Sequence, residues 1–202
     1  MPFDAILFDF DGVLVDSEPI HYHCWIEVLS PFGFHMDWDT YVRTCVGISD
    51  RTMIERFALA QSPALDPDVL FAQYPRKKEV FRDRMLAANP FPKATLELIP
   101  ELAVRLPLAV VSSSGRTEVE PPLIAAGLMQ YFGATVFGLE AGKLKPAPDP
   151  YLKAAEMLNV RNPLVIEDSD AGVASGRAAG FEVLRIAHPD ELSASLRKNL
   201  AT

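Results

Sequence analysis

Short apolar runs that end abruptly in acids or hydroxyls recur along this chain, and they constrain its fold more than any other feature. The first is Ala5-Ile6-Leu7-Phe8-Asp9-Phe10, which closes on Asp11 and Gly12. Comparable runs lie at Leu108–Val111, around Thr135–Phe137, at Leu164–Ile166 and at Val183–Ile186. None keeps a strict polar/apolar alternation, and a short run of that kind fits a strand buried on both faces of a parallel sheet. Helix-like stretches separate them at Glu118–Gly127, Pro148–Leu158 and Asp170–Ala179. Asp170 before Ala171 and Pro148 before Asp149 read as helix starts, with Asp170 as a cap. Strands alternating with helices of this length predict βαβ units and a doubly wound, Rossmann-like α/β sheet.

One region interrupts the alternation. From about residue 17 to residue 86 no buried strand is evident. The spacing of Trp25, Leu29 and Phe32, of Met53, Ile54 and Phe57, and of Val69, Leu70, Phe71, Tyr74 and Phe81 suits amphipathic helices instead. The sequence therefore predicts an α-helical cap over 17–87, packed over the C-terminal edge of the sheet. It would be inserted into a catalytic core made of 1–16 and 88–202, with Asn89-Pro90-Phe91-Pro92 bringing the chain back.

Composition narrows the partners. The chain carries 19 basic and 27 acidic side chains, a formal charge of −8, so a uniformly basic face for nucleic acid is not expected. Cys24 and Cys45 show no CxxC spacing, which fits two thiols in a reducing compartment. The N-terminus turns acidic at once, without the basic region of a signal peptide, and no apolar run approaches the roughly 18 residues of a membrane span. A cytoplasmic protein, a monomer or weak dimer, with no membrane or nucleic-acid partner is the expectation.

Four constellations carry candidate chemistry. In Asp9-Phe10-Asp11-Gly12 the two aspartates are two apart, so strand geometry sends both side chains to one face, and Gly12 permits a close backbone approach. Taken alone, an Asp-Gly hairpin turn fits equally well. In Val165-Ile166-Glu167-Asp168-Ser169-Asp170 a buried run again ends in acids; the spacing fails as a calcium loop. Lys145 sits in the stiff loop Leu144-Lys145-Pro146-Ala147-Pro148-Asp149, where a lone lysine is ordinarily just solvated. In Val110-Val111-Ser112-Ser113-Ser114-Gly115-Arg116 a strand runs into hydroxyls at a helix start, either an anion site or a simple serine cap.

All four fall at C-terminal ends of predicted parallel strands, and in an open α/β sheet those ends share one crevice. Asp9, Asp11, Glu167 and Asp168 would converge there and repel one another. A hard cation relieves that repulsion, and beside a phosphate Mg²⁺ is the natural choice. Ser112 and Lys145 complement an anion, so the set describes phosphoryl transfer.

These motifs, in this order, closely resemble the haloacid-dehalogenase-like superfamily, and within it the β-phosphoglucomutase-like phosphatases with a small helical cap. The resemblance runs through Asp-Phe-Asp-Gly-Val-Leu-Val-Asp-Ser, Ser112, the Lys145 loop, and Glu167-Asp168-Ser169 with Ala171-Gly172. It implies Asp9 as nucleophile, Asp11 as general acid and base, and Ser112 and Lys145 as holders of the phosphoryl oxygens. It implies Mg²⁺ held by the Asp9 carboxylate, the Asp11 backbone carbonyl and Asp168, with Glu167 near the ion. His21 and Gly47-Ile48-Ser49 resemble substrate positions of the cap, and Ser113, Ser114 and Arg116 lie where the core would meet the substrate. The mutases carry an arginine just after such a serine for a second phosphate; here Asp50 stands there and Arg51 follows. The expectation is a phosphatase for a small phosphorylated metabolite, of sugar phosphate or phosphoglycolate type, with a sugar phosphomutase as the alternative.

Overall fold

Each apolar run becomes a strand of a single parallel sheet. The computed structural model of the protein describes residues 2–46 and 48–200. The strands are β1 (Ile6–Phe8), β2 (Leu108–Ser112), β3 (Ala134–Phe137), β4 (Leu164–Glu167) and β5 (Glu182–Arg185), in the order β3-β2-β1-β4-β5. Every pairing is parallel: Leu7 stands opposite Ala109 on one side and Val165 on the other. All residues of β1, β2 and β4 are buried, as two-faced packing demands, whereas the edge strand β5 is only partly covered.

The helices in chain order are α1 (Glu18–Leu29), α2 (Trp38–Thr44), α3 (Asp50–Ala60), α4 (Pro67–Phe71), α5 (Tyr74–Ala88), α6 (Lys93–Ala103), α7 (Arg116–Ala125), α8 (Asp149–Leu158), α9 (Asp170–Ala178) and α10 (Leu192–Leu200). α7, α8 and α9 are the crossovers between successive strands of the sheet. α8 brings Tyr151, Ala154 and Ala155 onto Leu7, Ala109, Val111, Val136 and Val165, which form one continuous core.

The chain divides into two compact units, one of Met1–Ser17 with Ala88–Thr202 and one of Glu18–Ala87. The first holds the whole sheet. The second is helical: Trp25 and Leu29 of α1, Met53 and Ile54 of α3, and Phe81 of α5 are among its buried residues, at helical spacing. Val69 departs from the expected inward pattern and is exposed, because α4 is a five-residue helix that buries Leu70 alone. The chain leaves and rejoins the sheet unit at one joint, where the Asp16 N–H donates to the Pro90 carbonyl (3.4 Å).

Two local readings are corrected. Asp170 is not the cap of α9: Ser169 is, with extended backbone and a hydroxyl that accepts from the Gly172 N–H (3.0 Å). Asp170 occupies the first turn and pairs with Arg185 at 2.7 Å. No serine caps α7 either. Gly115 does, and its N–H donates to the Glu118 carboxylate at 3.2 Å.

Leu7 is fully buried in the middle of the central strand. Leu7→Ala is expected to lower unfolding free energy by about 2–5 kcal/mol through lost burial and a residual cavity. Urea denaturation followed by circular dichroism measures it; an unchanged midpoint would contradict this account of the core.

Candidate active site

Sheet order creates neighbours before any side chain is considered. β3, β2, β1 and β4 are consecutive, so the residues at their C-terminal ends share one rim. β1 runs into Asp9, β2 ends in Ser112, β4 ends in Glu167 ahead of Asp168, and the loop after β3 carries Lys145.

Lys145 is the centre of the arrangement. Its side chain is 4% exposed, and its three N–H groups reach Asp9 Oδ1 at 2.8 Å, Glu167 Oε1 at 2.5 Å and the Val111 carbonyl at 2.9 Å. Glu167 is fully buried. Its Oε1 also accepts from the Tyr151 hydroxyl at 2.7 Å. Its Oε2 accepts from the N–H groups of Asp168 and Ser169 and from the Ser169 hydroxyl at 3.1–3.3 Å. A buried carboxylate with five donors satisfies the rule that buried charge must be paired and hydrogen-bonded.

Asp11 is held differently, by hydroxyls. Ser17 Oγ donates to its Oδ1 at 2.7 Å, and Ser114 Oγ to its Oδ2 at 2.8 Å, with Ser112 Oγ at 3.5 Å. The Ser114 N–H donates to Ser112 Oγ at 3.0 Å, which ties this hydroxyl cluster to the end of β2. The Asp-Gly stretch is not a hairpin: after a tight turn closed by the Gly12 N–H on the Val15 carbonyl, the chain enters α1 rather than a second strand.

Two glycines make room for the acids. Gly12 has a φ of +73°, and a Cβ there would overlap the Asp168 carboxylate; a Cβ at Gly172 would overlap that of Glu167. A methyl group at either position displaces a functional carboxylate rather than merely crowding a helix.

The electrostatics follow from one ammonium among several carboxylates. Burial, reinforced by the charges of Glu167, Asp168 and Asp11, pushes the Asp9 carboxyl well above its usual range despite the opposing pull of Lys145. Burial, then the Glu167 charge, raises Asp168 to about 6. Burial works against the charge on Lys145, but Asp9 and Glu167 more than offset it, so the ammonium is held above its ordinary value. Asp9, Glu167 and Asp168 each offer a carboxylate oxygen, all within 4.8 Å of one another. The Asp11 carboxylate is not one of those three.

Of the other anticipated substrate contacts, Ser114 joins the site through its hydrogen bond to Asp11. Arg116 is engaged elsewhere: its guanidinium grips Glu140 at 2.9 and 3.0 Å and Glu120 at 3.2 Å, and lies 4.8 Å over the Phe137 ring. Ser113 is exposed and Ser114 partly so. His21, Ser49 and Arg51 belong to the helical unit. His21 Nδ1 lies 2.7 Å from the buried ammonium of Lys77 and its ring stacks on Phe81. Ser49 caps α3, accepting from the Thr52 N–H at 3.1 Å. Arg51 pairs with Glu55 and Asp68, each at 2.7 Å. Gly47 lies outside the described residues. Sequence reasoning missed Tyr151 and Ser17; the only signal for Tyr151 was its place six residues after Lys145 on the helix that follows.

The family described as haloacid dehalogenase-like hydrolase matches this chain over residues 6–186. The chain belongs to that family. Among the haloacid dehalogenase-like hydrolases it is 31% identical, over 90% of its length and 95% of the relative's, to the fructose-1-phosphate phosphatase YqaB of Escherichia coli. It is 30% identical, over 89% of its length and 79% of the relative's, to a β-phosphoglucomutase of Mycobacterium bovis. Among solved structures it is similar to a hydrolase of the family from Deinococcus radiodurans with bound phosphate and sodium. That structure has a TM-score of 0.72 and 31% identity, covering 97% of this chain and 88% of the other. This haloacid dehalogenase-like chain is accordingly an enzyme of the phosphoric monoester hydrolase kind, with a phosphomutase also among its relatives. No described helix is long and apolar enough to cross a membrane.

The raised Asp168 carboxyl sets a pH dependence. Folded Asp168 holds its proton up to about 6, whereas the ordinary value is 3.8. Across that window the folded state binds more protons, so the metal-free protein loses stability as pH rises through it. Calorimetric melting in chelator is expected to show a higher midpoint at pH 5 than at pH 7, with a shallower fall in Asp168→Asn. An equal fall in that variant would show that Asp168 is not its source.

Proposed function

We propose that the protein is a Mg²⁺-dependent phosphatase that hydrolyses a small phosphorylated carbohydrate through an aspartyl phosphate on Asp9. The observation that carries this reading is the buried Asp9 carboxylate clasped by the buried Lys145 ammonium (2.8 Å), with Asp168 and Glu167 converging on the same point.

The donor set fits Mg²⁺. It is made of hard carboxylate oxygens, and beyond the burial that chiefly raises Asp9 and Asp168, the charges of neighbouring carboxylates add a repulsion that a divalent ion would relieve. Asp9 and Asp168 would hold the ion together with the Asp11 backbone carbonyl. Glu167, whose two oxygens already take five donors, would chiefly orient that set. When bound, the ion would supply positive charge to the phosphoryl oxygens.

The chain's own residues account for the rest. A carboxylate approaching a phosphate dianion at 4 Å meets a repulsion of roughly 8 kcal/mol at an effective dielectric of 20, and the Lys145 charge opposes it directly. An Asp9 oxygen forms the bond to phosphorus while the bond from phosphorus to the substrate oxygen breaks, and Asp11 gives that oxygen its proton. Water then attacks the aspartyl phosphate, Asp11 takes the proton from it, and inorganic phosphate leaves with Asp9 restored. The hydroxyls of Ser17 and Ser114 hold the Asp11 carboxyl in one orientation for both transfers. Ser112 and Lys145 would bind the phosphoryl oxygens.

We propose the helical insertion, 17–87, as the cap that selects the substrate, with His21 and Ser49 among its substrate-binding residues. Phosphatase is favoured over mutase because the position where the mutases carry a phosphate-binding arginine is Asp50. Its carboxylate accepts from Trp25 Nε1 at 3.1 Å and lies 3.8 Å from Lys77. Arg51 is engaged with Glu55 and Asp68 and does not replace the missing arginine. The fructose-1-phosphate phosphatase relative points to sugar monophosphates as the substrate class.

Release of inorganic phosphate from p-nitrophenyl phosphate and from a panel of sugar monophosphates tests this reading. Asp9→Asn is expected to abolish turnover, and Asp11→Asn to lower kcat by about 10²–10⁴-fold. Full activity in both variants would refute the assignment, and isomerisation that depends on a sugar bisphosphate would replace phosphatase by mutase.

A further inference from the structure

Tyr151 has no part in the steps just described, yet its ring is fully buried in the core and its hydroxyl donates to Glu167 Oε1 at 2.7 Å. The same oxygen receives the Lys145 ammonium at 2.5 Å, and that ammonium lies 4.9 Å from the centre of the Tyr151 ring. One side chain thus touches both members of the buried ion pair. We infer that Tyr151 is a positioning residue that aligns Glu167 and, through it, sets how freely Lys145 can serve the phosphoryl group. This inference rests on the phosphatase reading of the site.

Lys145 has three N–H groups and all three are taken, by Asp9, Glu167 and the Val111 carbonyl. To bind a phosphoryl oxygen the ammonium must release one of them. Release from Glu167 would strip a fully buried, charged oxygen of its partner, which costs the desolvation penalty of that group. The Tyr151 hydroxyl removes that obstacle, because Oε1 keeps a strong donor when the ammonium turns away. The ring offers Lys145 an attractive face that accepts no conventional hydrogen bond, so it supports the charge without holding it in one direction.

The hydroxyl is placed by the fold rather than by a mobile loop. Tyr151 lies in the first turn of α8, against Leu7, Ala109 and Val165, while the backbone just ahead of that helix is tied to α9 by Ser175 Oγ donating to the Ala147 carbonyl (2.6 Å). Phenylalanine would occupy the same volume and leave Oε1 with the ammonium alone.

Tyr151→Phe is compared with wild type in three measurements: kcat and KM for p-nitrophenyl phosphate, affinity for inorganic phosphate with Mg²⁺ by calorimetry, and thermal midpoint. Each is repeated in a Glu167→Gln background, with phosphate affinity as the readout should turnover there be too low. The expectation is an approximately tenfold loss of kcat with KM within about twofold, weaker phosphate binding and a nearly unchanged midpoint. In the Glu167→Gln background the tyrosine change should cost little more, since its effect passes through that carboxylate. Wild-type kcat and phosphate affinity in Tyr151→Phe overturn the inference, as does an equal loss in both backgrounds. A collapse of the midpoint together with activity assigns Tyr151 to packing alone and also overturns it. Asp9→Asn run in parallel separates the two levels: retained turnover there removes the phosphatase reading itself, whereas a silent Tyr151→Phe in an enzyme that Asp9→Asn inactivates removes only the role of Tyr151.

Discussion

A single ammonium among buried carboxylates governs this molecule. Lys145 is drawn out of water to lie between Asp9 and Glu167, and neither acid could be buried at that rim without it. Much of the local structure serves that one contact. The Lys145 loop is anchored through Ala147, Glu167 is pinned by five donors, and two glycines withhold a Cβ where a carboxylate must stand. Burial first, and the charges of neighbouring carboxylates second, make Asp9 and Asp168 hold their protons more tightly than exposed acids do. The sheet unit carries this cluster of acids, Asp9, Glu167 and Asp168, at its rim.

Much of this was readable from the residues alone, for a specific reason. A strand covered on both faces has almost no freedom in side-chain character, so β1, β2 and β4 announce themselves as apolar runs. Their polar terminations mark where each strand leaves the core. Parallel topology then obliges those terminations to meet, which is how Asp9, Ser112, Lys145 and Glu167 could be associated across more than 150 residues.

What escaped the sequence is equally physical. Tyr151 reads as one more core aromatic because its ring is one; only the placement of its hydroxyl against Glu167 gives it a second role. Ser169 and Asp170 are both good capping residues side by side, and the backbone geometry at Ser169 decides between them. Arg116 looked free to meet a substrate, but no pattern in one sequence reveals that Glu140 and Glu120 would claim it. Lys77, buried against Trp25, Tyr74 and Phe81, hides in a stretch of surface-like lysines and arginines.

The joint at Asp16 and Pro90 carries a consequence for how such a chain can diversify. A backbone hydrogen bond closes the sheet unit on itself at the point where the helical unit departs and returns. Loop-closure entropy grows only slowly with the length of what is inserted across such a joint. The helical segment can therefore be lengthened, shortened or exchanged with little effect on the register of β1 or the reach of Lys145. The residues of the sheet rim and those of the helical unit are encoded in separate stretches of the chain, free to drift at different rates.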